Sequence, residues 1–150
     1  MKKIKVLSAA TLCLFAASAL ADLTPWTDYE PSQEVYMMTT IRVDSNMEDA
    51  YLEGLKKTWV PGQEAAKEIG QIKDYSIYRS QLSEAGDFNL VLVVALNSAD
   101  DMQPTKERYD ALMKKMGETF AEESTEYAQK NYPAMRTITG NYMMRKIEMK

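Results

Sequence analysis

The chain has 150 residues, 22 acidic against 18 basic, no histidine and a single cysteine, Cys13. Without imidazole, Ser-His-Asp and Cys-His catalysis are excluded, as are the usual Cys/His zinc sites and haem held by a proximal histidine. A net charge of −4 repels nucleic acid, and no cluster of Lys and Arg with interleaved aromatics offsets it.

Lys2, Lys3 and Lys5 form a short positive segment, and an apolar run follows to Leu20. It ends in Ala19-Leu20-Ala21, the small-x-small pattern read by signal peptidase, so residues 1–21 are expected to be a cleaved export signal. The run is shorter than the roughly 20 apolar residues a membrane anchor needs. Leu12 before Cys13 is too large for a lipoprotein signal. The expected location is periplasmic or secreted, with no membrane contact after cleavage. Removing 21 of 150 residues leaves 129, the size of one domain. The three lysines leave and every acidic residue stays, so the net charge moves from −4 to −7. The sole thiol leaves too.

Residues 22–34 carry Pro25 and Pro31 without periodicity and read as an extended N-terminal arm. A single domain is expected over 35–150. Residues 35–43 (VYMMTTIRV) read as a strand. Ser45 and Glu48 fit a capping box, predicting a helix start there. Met47, Tyr51, Leu52, Leu55 and Trp59 form its apolar face. Pro61-Gly62 is expected to interrupt this helix and Gly70 to end its continuation.

Residues 72–81 and 88–96 read as strands, the second apolar enough to be central, with 82–87 as a hairpin loop. Ser98 and Asp101 occupy capping positions. Pro104 separates that turn from a long helix starting near Thr105. Tyr109, Leu112, Met113, Met116 and Phe120 make its buried face, and Glu118, Glu122, Glu123 and Glu126 a solvated one. Asn131-Tyr132-Pro133 ends the helical region. Residues 137–149 read as the last strand, with a bend or bulge at Gly140.

The order β-α-β-β-α-β predicts an α+β, ferredoxin-like fold with a four-stranded antiparallel sheet and helices on one face. The first strand, the helix with Trp59-Val60-Pro61, the apolar strand 88–96 and the stretch 135–140 resemble the dimeric α/β-barrel superfamily, which includes antibiotic-biosynthesis-monooxygenase-like proteins and small exported bacterial proteins of unknown function. The resemblance spans residues 35–147. It implies a homodimer that joins open sheet faces into a barrel, and a small pocket between sheet and helices. An uncovered sheet face showing Met38 and Val91 points to the same dimer.

The candidate pocket residues are Tyr51, Trp59, Tyr75, Arg79, Asn89 and Tyr142. The resemblance implies that cofactor-independent monooxygenases place Asn, Trp and Tyr around such a pocket, and Trp59 and Asn89 match by type and element. Met113 and Met116 read as core packing rather than thioether copper ligands, because Met is a common gap-filler. Asp100-Asp101 and Glu48-Asp49 suit helix starts. No cofactor and no metal is expected. The favoured function is an exported small-ligand-binding or accessory dimer, the ligand small and hydrophobic or aromatic. The alternatives are a cofactor-independent monooxygenase acting on a small aromatic substrate, and a structural or stress-related dimer without a ligand.

Overall fold

Residues 35–43 are rich in β-branched and aromatic side chains, and in the computed structural model they lie inside a longer strand, β1 (Tyr29–Val43). The structure describes residues 22–82 and 86–150; the expected export signal and residues 83–85 of the hairpin loop lie outside them. The strand starts earlier than the sequence suggests because Tyr29, Glu30 and Pro31 pair with Met149, Glu148 and Ile147. The final part of the expected arm is therefore sheet. An edge ladder tolerates Pro31, which has no N–H to donate.

After β1 the chain turns at Asn46, which adopts a left-handed φ of 67°. Helix α1 (Glu48–Lys57) begins two residues later, with Met47 as its N-cap and no side-chain cap. The capping box expected at Ser45 does not form. The Glu48 carboxylate is instead drawn to Arg79, at 3.0 Å. A break follows at Thr58, before the expected Pro61-Gly62. Pro61 has no N–H for the Lys57 carbonyl, so the ladder ends at Lys57 and α2 (Trp59–Glu68) restarts with Pro61 in its first turn. Gly70, at φ 71°, ends α2 as expected.

Strands β2 (Asp74–Arg79) and β3 (Leu90–Leu96) follow. Ser98 and Asp101 form the expected capping box on a short 3-10 turn. Beyond Pro104, the Thr105 hydroxyl caps α3 (Lys106–Met116). The long helix expected from here to Asn131 is two helices. Gly117 takes φ 84° and ψ 136°, a conformation open to glycine, and α4 (Glu118–Asn131) begins after it. The last strand, β4 (Arg136–Met149), has its bulge at the expected place, since Thr40 faces Gly140 and Ile41 faces Ile138.

The sheet is antiparallel throughout, in the order β2-β3-β1-β4. This is the ferredoxin-like topology expected from the order of elements. Strand alternation sends Ile41, Val43, Leu90 and Leu92 to the helix side, where they pack with Tyr51 and Leu55 of α1 and with Tyr132. Tyr51, Ile41, Leu55, Leu90 and Val35 are the largest fully buried side chains. Burial of each stabilises the fold by about 1.5–3 kcal/mol. The opposite sheet face holds Met38 and Val91, as expected, with Val93 and Tyr142 beside Met38. Among the described residues no helix is long and apolar enough to cross a membrane.

Candidate ligand-binding cleft

Helices α3 and α4 contain no buried residue. The apolar face expected to be buried is Tyr109, Leu112, Met113, Met116 and Phe120, but Tyr109 is 63% exposed and the others are half-buried. The face does not pack against the sheet. Tyr109, Leu112, Met113 and Met116 border a cleft of about 840 Å³ between α3 and α4, α2 and the end of the sheet, while Phe120 lies outside it. Met113 and Met116 line this space and do not fill a core.

The sheet and helices α2, α3 and α4 position the walls. The sheet contributes Met37, Val94 and Leu96, which share one side by strand alternation. Trp59 and Ala66 come from α2, and Leu112, Met113 and Met116 from α3. Trp59 opens α2 at the break beside Thr58, so the break in the helix aims the indole. Its ring meets Tyr75 edge-on, centroids 5.3 Å apart and planes at 86°. The Tyr75 hydroxyl donates to Glu64 Oε1 at 2.5 Å. That hydrogen bond, more than burial, pushes the Tyr75 phenol up to about 12.

Two polar groups mark the inner wall. The Thr58 and Tyr132 hydroxyls lie 2.6 Å apart, and Thr58 also donates to the Gly54 carbonyl at 3.0 Å. With the Thr58 proton directed at the Gly54 carbonyl, the Tyr132 hydroxyl donates to Thr58 and keeps its oxygen as an acceptor, and burial raises the phenol above its ordinary value. Arg108 lines the cleft but is held by its own neighbours. Its Nη2 donates to the carbonyls of Gln71 (3.1 Å) and Asp101 (2.9 Å), and Nη1 lies 3.7 Å from the Asp101 carboxylate. The guanidinium ties the 3-10 turn, the end of α2 and α3 into one wall. The cleft therefore offers mainly apolar surface, the aromatic rings of Trp59 and Tyr109, and a neutral hydroxyl pair.

The six expected pocket residues do not come together. Trp59 lines the cleft, with Tyr75 behind it as a ring partner. Tyr51 is in the core, 1% exposed, edge-on to Tyr132 at 5.0 Å and beneath the Arg136 guanidinium. Arg79 and Asn89 border a separate polar hollow with Glu48. There Arg79 pairs with Glu48, and the Asn89 amide bonds both backbone groups of Val43. Tyr142 pairs with Met38 on the opposite sheet face, its ring folded back over Gly140. The residues missed were Leu112, Met113 and Met116, read as core, and Tyr132, read as a helix terminator. Their stripe was visible. Periodicity shows which side of a helix faces inward, and not whether anything fills the space there. Among the described residues no group of three or more Asp, Glu, Cys or His is placed to hold a metal ion.

No protein-family model matches the chain, and no curated protein matches it. Solved structures with a similar course of the chain exist. A NipSnap-family protein of unknown function from Agrobacterium tumefaciens is 18% identical, with TM-score 0.49, over 79% of this chain and 92% of that one. HapK from Hahella chejuensis is 12% identical, with TM-score 0.43, over 75% and 91%. A dimeric ferredoxin-like protein of unknown function from Thermobifida fusca is 11% identical, with TM-score 0.41, over 77% and 91%. The likeness concerns the fold.

Proposed function

We propose that this ferredoxin-like protein is exported, works as a homodimer, and binds a small, largely apolar molecule in the cleft beneath α3 and α4. One observation carries the binding reading. The apolar stripe of α3 faces inward over about 840 Å³ that no side chain fills. A stripe of that kind is stable in water only if something covers it, and the volume lies in the usual range for small-ligand sites. The Thr58–Tyr132 hydroxyl pair gives such a ligand one neutral polar contact.

Trp59 makes the test direct. In a Trp26→Phe variant Trp59 is the sole indole, so its emission reports on the cleft. Titration with apolar probes of graded length is expected to shift that emission and raise the melting temperature, and Met116→Trp, which fills the space, is expected to abolish both changes. Unchanged emission and melting across the panel would overturn the reading.

The monooxygenase alternative receives little support, because Asn89 is bonded to the Val43 backbone and does not share the cleft with Trp59. The filled-interior alternative is disfavoured by the open space itself. Export rests on the N-terminal pattern: sequencing of the protein from the periplasmic fraction is expected to begin at Asp22, and a chain that retains Met1 would contradict it. The dimer rests on the sheet face turned away from the helices, where Met38 and Val91 remain partly exposed. Light scattering behind a sizing column is expected to give twice the chain mass, and a single-chain mass would contradict it.

A further inference from the structure

Tyr109 and Met113 of α3 and Ala121, Thr125 and Gln129 of α4 border the cleft and also a second space, of about 1340 Å³, between the two helices. The two spaces meet at these side chains. Their surroundings differ in charge. The cleft is apolar, whereas the space between the helices is flanked by Glu118, Glu122 and Glu126 on α4. These three carboxylates are one turn apart on one face, exposed, and in no ion pair among the described residues. Asp110 on the facing helix is already paired with Lys106, and Lys114 only partly offsets the remainder.

Glu118 sits in the first turn of α4, where the helix dipole favours it. Glu122 and Glu126 lack that explanation. Like charges four residues apart destabilise a helix, and a cation placed between them relieves the repulsion. Tyr109, 63% exposed at the junction, adds a ring face of the kind that attracts alkylammonium groups.

We infer that the ligand is a cationic amphiphile. Its apolar tail lies in the cleft against Leu112, Met113 and Met116, and its positive head rests among Glu118, Glu122 and Glu126 beside Tyr109. The inference depends on the cleft being the ligand site and adds the chemical class of the ligand.

Three probes with the same dodecyl tail separate the two claims: dodecyltrimethylammonium, dodecyl maltoside and dodecyl sulfate, each titrated calorimetrically into the mature protein below its micellar concentration. The expected order of affinity is cationic, neutral, anionic, with one molecule per chain. The cationic probe should bind about tenfold tighter than the neutral one at low salt, and the gap should narrow as salt screens the exposed carboxylates. Combined Glu118→Gln, Glu122→Gln and Glu126→Gln should bring the cationic probe to the affinity of the neutral one, which should itself be unchanged. Equal binding of all three probes overturns the inference and leaves the cleft reading intact. No binding by any probe overturns both. Filling the cleft by Met116→Trp, or by Ala66→Phe if the first does not fold, should abolish binding of the cationic probe. If that probe still binds as tightly, it is held by surface charge alone, and the inference fails.

Discussion

The Asn89 side chain substitutes for a strand at Val43: its Oδ1 accepts the Val43 N–H at 2.8 Å and its Nδ2 donates to the Val43 carbonyl at 2.9 Å. The β1–β3 ladder reaches only Ile41 and Leu90, so without this amide both groups of a residue only 2% exposed would lose a partner. Asn89→Ala is expected to cost about 1–3 kcal/mol for each group left unpaired. Asn89→Asp keeps the acceptor and sets a carboxylate against a carbonyl, so its loss should ease on acidification, when the carboxyl can donate. Chemical denaturation of both variants at neutral and acid pH checks this. A neutral Ala variant would show that water replaces the amide.

Gly54 on α1 lies against Tyr132. A Cβ there would come within 2.9 Å of the ring's Cε1, and the ring is held by its hydroxyl pair with Thr58 and by edge contacts with Tyr51 and Tyr127. Gly54→Ala should therefore destabilise by overpacking, about 1–3 kcal/mol, although helix propensity alone would return up to ~1 kcal/mol. Thermal melting decides the sign.

Gly117 gives a sharper test of the helix break. In one continuous helix, Gly117→Ala would stabilise by about 1 kcal/mol. At φ 84° and ψ 136° the same change is expected to destabilise by about 1–3 kcal/mol. A rise in melting temperature would mean that α3 and α4 are one helix.

The Tyr75–Glu64 hydrogen bond needs the phenol protonated. Its folded value, about 12, lies above the ordinary value of 10.0. The contribution is therefore complete below about pH 10 and is lost as pH rises towards 12. Phenolate absorbance should show Tyr75 titrating late, together with Tyr36, Tyr51 and Tyr132, which are also raised, and Tyr75→Phe should remove one phenol from that late step. In Glu64→Gln that phenol should move towards the ordinary value. An unchanged late step in Tyr75→Phe would assign it to another tyrosine.

Most of the fold was legible because it is written in local patterns. Alternation placed Met38 and Val91 on the open face, Gly70 ended α2, Ser98 and Asp101 capped a turn, and Gly140 marked the bulge. The errors lie where a local signal met a stronger neighbour. Glu48 fits a capping box with Ser45 but is claimed by Arg79, 31 positions away in sequence. Pro61 acts four residues upstream, on the Lys57 carbonyl, so the break falls at Thr58. Gly117 lies in an otherwise good helical pattern, and one glycine in a helix is a weak signal. The candidate site was less legible for the same reason. Trp59 was found through the family resemblance, by residue type and element, and it lines the cleft. Asn89 and Arg79 were misplaced because a polar side chain's role is fixed by partners that sequence does not reveal.

The outer ladder of the sheet joins Tyr29 to Met149, and the backbone N–H of Lys150 donates to the Asp28 carbonyl at 2.9 Å. The first strand thus obtains its outside neighbour from the far end of the sequence. Such closure is entropically late, since a long loop must be gathered before any of these bonds form. A polypeptide emerging in order therefore keeps the outer side of β1 unpaired until its last residues arrive, so the sheet closes only when synthesis of the chain is complete.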